Sequence, residues 1–256
     1  MTTGPALITG GGSGMGRAAA RRFAEQGRQV AILDVNEAGL RETAEGYESI
    51  HVYPVDITDY EAVCAAVQEF EQRHGPLERV YNCAAIMPFG KLTEQDPAVT
   101  NKMMSINYGG LVNITRATLP GMIRRGRGDF VSFASAAGLI PAMLMGGYNA
   151  SKAAVVFYTE VLYHENRDSG VRFACVCPPP VATPLLDQGK ATAWPKLMER
   201  TEGQEITPDV VLNAIEKDLA KGRFMVLVNR QTRMGALMRR FAPGLIWKNI
   251  HDTEGW

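Results

Sequence analysis

Residues 9 to 16 read TGGGSGMG, directly after the apolar run ALIT (6 to 9) and directly before Arg17, Ala18, Ala19 and Ala20, where the pattern turns helical. Glycines let a backbone turn tightly and come close to a pyrophosphate, whose charge is met by the amides that open the next helix. A glycine run alone is compatible with any flexible turn. Between a strand and a helix it predicts a dinucleotide cradle and a chain committed to an α/β sheet.

The rest of the chain repeats that alternation. Strand-like runs fall at 6 to 9, 29 to 34, 50 to 56, 78 to 84, 129 to 135, 171 to 177 and 224 to 228. Helical patterns lie near 15 to 26, 37 to 46, 59 to 73, 97 to 125, 148 to 168 and 208 to 221. Continuous apolar strands separated by helices predict a parallel sheet covered on both faces. The expected fold is therefore α/β: a single doubly wound, Rossmann-type domain of about seven parallel strands, with ligands beyond the carboxyl ends of the strands. Residues 1 to 228 form that domain, and residues 229 to 256 form an extension packed on it or on a neighbouring subunit.

Composition removes several function classes. Lys plus Arg and Asp plus Glu number 27 each, so nothing electrostatic asks for a nucleic acid. Cys64, Cys83, Cys175 and Cys177 make no CxxC pair and no metal spacing, and no metal is expected. The N-terminus lacks the basic and apolar regions of a signal peptide, which predicts a cytoplasmic protein. Phe130 to Ser151 carries no charged residue or histidine, yet Gly138, Pro141, Gly146, Gly147 and Asn149 interrupt it, so a membrane span is not expected.

Asp34 closes the second strand, eighteen residues after Gly16. An acid there accepts hydrogen bonds from ribose hydroxyls and repels a 2′-phosphate, so NAD is expected over NADP. At the far edge of the uncharged stretch lies YNASK, 148 to 152. Helical positions i and i+4 share a face, so Tyr148 and Lys152 point into one cleft. An ammonium beside a phenol favours the phenolate, which predicts a lowered pKa and an acid/base role for Tyr148. A snorkelling surface pair is the plain alternative for these two residues taken alone.

These motifs together resemble the short-chain dehydrogenases/reductases over residues 5 to 228. The glycine pattern TGxxxGxG matches Thr9, Gly10, Gly14 and Gly16, and YxxxK matches Tyr148 and Lys152. The resemblance implies a catalytic Ser at Ser135, which donates to the substrate oxygen, and a catalytic Asn at Asn107, which holds a water linking Lys152 to solvent. It also implies that Lys152 reaches the nicotinamide ribose. Cofactor contacts are implied at Gly10, Ser13, Gly14, Met15, Gly16, Asp34, Asp56, Ile57, Asn82, Ala84, Tyr148, Lys152, Pro178, Val181 and Thr183. Two departures stand out: Asn82, Cys83, Ala84, Ala85 replaces Asn-Asn-Ala-Gly, and Pro179 replaces a glycine in PPPVAT. Ala adopts positive φ less readily than Gly and Pro lacks an amide donor, so both loops are expected to differ locally.

Segments after strands four, five and six supply Met87, Phe89, Leu139, Met143, Leu144, Met145, Leu185, Leu186 and Trp194, an apolar wall suited to a bulky hydrophobic secondary alcohol or ketone. The expected activity is NAD-dependent hydride transfer. An oxoacyl thioester reductase is the alternative enzyme, and a dinucleotide-binding redox regulator the alternative without turnover; a regulator has no need of Ser135, Tyr148, Lys152 and Asn107. A homodimer or homotetramer is expected through the helices near 97 to 125 and 148 to 168, on the apolar residues Met103, Met104, Leu111, Val155 and Val156. In the tail, Met234, Leu237, Met238 and Phe241 recur at i, i+3, i+4 and i+7 beside Arg230, Arg233, Arg239 and Arg240, and Pro243 with Gly244 ends the helix. That stripe is expected to bury itself on protein, to cover the cleft, or to lie on a membrane surface.

Overall fold

The computed structural model describes residues 4–255. Seven strands, β1 (Ala6–Thr9), β2 (Val30–Asp34), β3 (Ile50–Pro54), β4 (Arg79–Asn82), β5 (Gly128–Phe133), β6 (Val171–Val176) and β7 (Met225–Val226), form one sheet in the order β3-β2-β1-β4-β5-β6-β7. Every neighbouring pair is parallel. Chain order reverses between β1 and β4, and an open sheet parts its loops at such a point.

The crossovers are α1 (Gly14–Glu25), α2 (Glu37–Ala44), α3 (Tyr60–His74), α4 (Pro97–Met104), α5 (Gly110–Arg125), α6 (Gly146–Glu165) and α9 (Pro208–Leu219). Two short helices that the sequence pattern does not announce, α7 (Leu185–Lys190) and α8 (Lys196–Glu199), lie between β6 and α9. Strand alternation explains the layering. Ala6, Ile8, Val30 and Ile32 pack with Phe23 of α1 and Leu212 of α9, while Leu7, Ala31 and Leu33 pack with Phe70 of α3 and Leu111 of α5. The two faces therefore each hold a core cluster.

The expected helix over 97 to 125 runs unbroken, but with a π turn at Ser105–Gly109 joining α4 to α5. One turn of i→i+5 bonding inserts an extra residue and rotates α5 relative to α4. At the amino ends of the strands, charges are buried together. Arg79 Nε donates to Asp129 Oδ2 at 3.0 Å, Arg172 Nε donates to Asp129 Oδ1 at 2.6 Å, and Arg79 also pairs with Glu216 of α9. Burial alone would raise the Asp129 carboxyl, but the hydrogen bonds from Arg172 and Arg79 hold it below the ordinary carboxylate value.

One expectation about an interface face is corrected. Met103, Leu111, Val155 and Val156 are buried in the chain's own core and leave nothing for a partner. On α6 the exposed apolar residues are Phe157 (69%) and Val161 (54%), one turn apart. In the tail, α10 (Arg230–Phe241) follows the expected bounds, and Pro243 opens a further helix, α11 (Pro243–Glu254), because proline suits a first helical turn. Yet α10 turns its stripe outward: Met234, Leu237, Met238 and Phe241 are exposed. It packs instead through small residues, with Thr232 buried and Gly235 so close to Ile140 that a Cβ would meet Ile140 Cδ1 at 2.5 Å.

Candidate active site

A cleft of about 790 Å³ opens over the carboxyl ends of the strands. Its dinucleotide end begins at the glycine turn. Gly10 and Gly14 hold left-handed φ values of 67° and 50°, and a Cβ on Gly16 would meet the Gly10 carbonyl oxygen at 2.1 Å. The three positions need glycine for backbone shape and for the close seat of α1. Ser13, which precedes α1, makes no side-chain cap, and the first turn of α1 holds no acid. Its amides are thus left for an anion, which fits a pyrophosphate.

Asp34 stands at the end of β2, as expected, and does two jobs in the turn. Its Oδ2 accepts from Gly12 N at 3.0 Å and its Oδ1 from Asn36 N at 3.0 Å. Arg17, which bonds this turn, is engaged by Glu42, by the Gly12 carbonyl oxygen at 2.6 Å and by Thr43 Oγ1 at 3.0 Å. The residues here fit an adenosine ribose with free hydroxyls and offer no uncommitted cation to a 2′-phosphate.

The other end of the cleft gathers Ser135, Tyr148 and Lys152 with Pro178, Val181 and Thr183. Tyr148 and Lys152 sit one turn apart in α6, both buried, at 5% and 2% exposure. Ser135 lies just past β5, where its hydroxyl accepts from Ala137 N at 3.1 Å and lies near enough to the Tyr148 phenol to favour its ionised form. Lys152 Nζ donates to the Phe133 carbonyl oxygen at 2.8 Å and lies 5.9 Å from the centre of the Tyr148 ring.

The electrostatics differ from the sequence expectation. Burial pushes the Tyr148 phenol up to about 12, with the Ser135 hydroxyl acting the other way. Burial also pulls the Lys152 ammonium down to about 8, against the opposing influence of Cys83, Cys175 and Cys177. The ammonium points at a strand carbonyl rather than the phenol and is itself costly to keep charged, so desolvation governs both groups. Cys83, half-buried and lining the cleft, has its thiol pushed up by the same desolvation.

Gly10, Ser13, Gly14, Met15, Gly16, Asp34, Asp56, Ile57 and Ala84 also line the cleft. Asn82 and Asn107 stand behind its wall instead. Thr9 Oγ1 donates to Asn82 Oδ1 at 2.8 Å and accepts from Ala84 N at 3.1 Å, so Asn82 ties β4 to β1. Asn107, in the π turn, accepts from Ile86 N at 2.9 Å and donates to the Ile86 carbonyl oxygen and to Ser151 Oγ, each at 3.0 Å. Its side chain is committed to the loop after β4 and to α6, without a bond to Lys152. Ala85 does not take positive φ; among the described non-glycine residues only Leu144 does, at 63°, and its carbonyl accepts from Gly90 N at 2.8 Å. The Pro178–Pro180 loop is pinned by its carbonyls, which accept from Ala136 N at 2.9 Å and Ile206 N at 3.1 Å, so the missing amides cost it no bond there.

Of the expected substrate wall, Met87, Met145, Leu185 and Leu186 line the cleft. Phe89 backs it, with its ring centre 6.3 Å from that of Tyr148 and 5.9 Å from that of Trp194. Leu197 and Met198 line it as well, inside the segment after strand six (184 to 200) expected to face substrate, whereas sequence reasoning missed Thr201 and, from α10, Gln231 and Thr232. The stretch PKLMER carries a helical pattern too short to announce itself, and Thr232 reads as an ordinary helix residue. Among the described residues no cluster of acids, histidines and thiols is arranged to hold a metal.

Comparison with known proteins shows the family of the chain. The family model described as short chain dehydrogenase matches residues 5–194. The 2-keto-3-deoxy-L-fuconate dehydrogenase of Xanthomonas campestris pv. campestris is 32% identical over 71% of this chain, a match that spans only 60% of that relative's length. The 17-beta-hydroxysteroid dehydrogenase 13 of Rattus norvegicus is 29% identical over 97% of this chain and 82% of its own. Among solved structures, a short chain dehydrogenase/reductase from Burkholderia phymatum in complex with NAD superposes with a TM-score of 0.86 at 27% identity, covering 96% of each chain.

Proposed function

The chain belongs to the short-chain dehydrogenase family, and on that premise we propose that it is an NAD-dependent oxidoreductase acting on a hydrophobic secondary alcohol or its ketone. The observation that carries this reading is one cleft lined at one end by the glycine turn and Asp34 and at the other by Ser135, Tyr148 and Lys152 beside Met87, Met145, Leu185 and Leu186.

NAD is the cofactor: the α1 amides would hold its pyrophosphate, Asp34 its adenosine ribose and Lys152 its nicotinamide ribose, and when bound it would accept the hydride. Tyr148 Oη, kept neutral by burial, gives its proton to the substrate oxygen when a ketone is reduced; in the alcohol direction it takes the hydroxyl proton only as the phenolate, after its own proton has left for solvent. Ser135, which lines the cleft with that phenol, holds the substrate oxygen and meets the negative charge that develops on it. Lys152, held on the Phe133 carbonyl, keeps a positive charge in the buried floor while it remains protonated. Asn107 orients this floor through Ser151 and Ile86.

Purified protein mixed with NAD and either 2-octanol or 1-phenylethanol, followed by absorbance of the reduced cofactor, tests the proposal. Oxidation of either alcohol is the expected result. Turnover confined to acetoacetyl-CoA with reduced cofactor would assign a thioester reductase instead, and tight NAD binding with no turnover of any of the three would sink the enzymatic reading.

A further inference from the structure

Helix α8 is four residues long and follows Pro195, which has no side-chain group able to cap it. A helix that short is all termini, so each of its amides needs a partner from elsewhere. Two of them find the same one. Glu254, in the last turn of α11, accepts from Lys196 N through Oε2 at 3.0 Å and from Leu197 N through Oε1 at 2.9 Å. Lys196 Nζ donates to the Glu254 carbonyl oxygen at 3.0 Å, and Arg200 donates to Thr253 Oγ1 at 2.9 Å. Glu254 is 5% exposed and Thr253 6%, so the α11 side of the contact is buried, while Lys196 and Arg200 on the α8 side stay exposed.

The segment held in this way is part of the cleft wall, through Leu197, Met198 and Thr201. From the same extension, Gln231 and Thr232 of α10 reach the cleft directly. We infer that Glu254 is a positioning residue for substrate: its carboxylate fixes α8 against the cleft, which makes the end of the chain a determinant of substrate affinity. The inference rests on the proposed alcohol dehydrogenase reading, and it assigns the extension a share in the site. A carboxylate suits the task because it accepts at both oxygens, and a charged acceptor strengthens both bonds.

The test uses the full chain. Glu254→Gln keeps the shape but sets an amide donor against one backbone N–H, while Glu254→Asp keeps both acceptors on a shorter arm. In Glu254→Gln, hydrogen exchange read by mass spectrometry is expected to quicken by about tenfold in peptides covering 196 to 201, with α1 and α3 unchanged. With 2-octanol, KM is expected to rise by about tenfold, kcat to stay within about threefold and the Kd for NAD to hold, with partial recovery in Glu254→Asp. Unchanged exchange at 196 to 201, faster exchange throughout the core, or an unchanged KM would each overturn the inference. Should Glu254→Gln fail to fold, Thr253→Val, which removes only the Arg200 link, is expected to move exchange and KM the same way by a smaller factor, and no movement in either would overturn it. If the parent oxidises neither alcohol, the functional reading falls and the exchange result alone decides the clamp.

Discussion

The Lys152 ammonium is bonded to the Phe133 carbonyl oxygen at 2.8 Å, inside a floor that leaves the lysine 2% exposed. Its value falls from 10.5 to about 8 through burial. Between those two values the unfolded chain holds a proton that the folded chain has released, so folding stability gains as pH rises from about 8 to 10.5. Below about 8 both states are charged and the folded one bears the full cost of burial. Urea unfolding of the parent and of Lys152→Met across this range is expected to show the parent gaining on the variant by about 3 kcal/mol as pH rises. A pH-independent difference would refute the assignment.

Tyr148→Phe removes one hydroxyl from a ring packed near Phe89. Calorimetry is expected to give NAD affinity near that of the parent, while kcat falls by a factor on the order of 10² to 10⁴. Turnover within about threefold of the parent would remove Tyr148 from the chemistry.

Asp34→Ala deletes both a ribose acceptor and the bond to Gly12 N. Fluorescence titration is expected to show NAD binding weakened by about tenfold and the discrimination against NADP reduced, since repulsion of a 2′-phosphate goes with the carboxylate. A parent that binds NADP more tightly than NAD would contradict the role given to Asp34.

Phe157 and Val161 lie exposed one turn apart on α6, and we expect at least a dimer through this face. Light scattering at micromolar protein should give a multiple of the 27.9 kDa chain, and Phe157→Lys should shift it toward the monomer. A monomeric parent would overturn the expectation.

The architecture was legible because glycine turn, strand and helix recur in a fixed rhythm, and because strands buried on both faces read as unbroken apolar runs. Gly10 and Asp34 were legible because they end strands whose positions the pattern sets, Tyr148 and Lys152 through their i, i+4 spacing, and Ser135 only through the family resemblance. What escaped was decided by direction rather than position. Asn82 and Asn107 lie where expected along the chain, but their side chains bond Thr9, Ile86 and Ser151 behind the cleft wall. Helical spacing found the α10 stripe without revealing that small residues would face inward. The bond from Glu254 to α8 spans 58 positions, and no local pattern encodes a contact at that separation.

The ion pairs of buried Arg79 and Asp129 with Glu216 and Arg172 close the amino end of the sheet, while every group proposed for chemistry sits at the carboxyl end. Removing Asp129 would leave two arginines short of a buried partner and is expected to cost about 3 to 5 kcal/mol in urea unfolding, with the Kd for NAD unaltered in the folded fraction. The chain thus keeps its structural insurance and its working surface in separate places. For directed evolution this separation is useful: libraries confined to positions 185 to 201 and 230 to 235 can search new substrates without drawing on the bonds that keep the sheet folded.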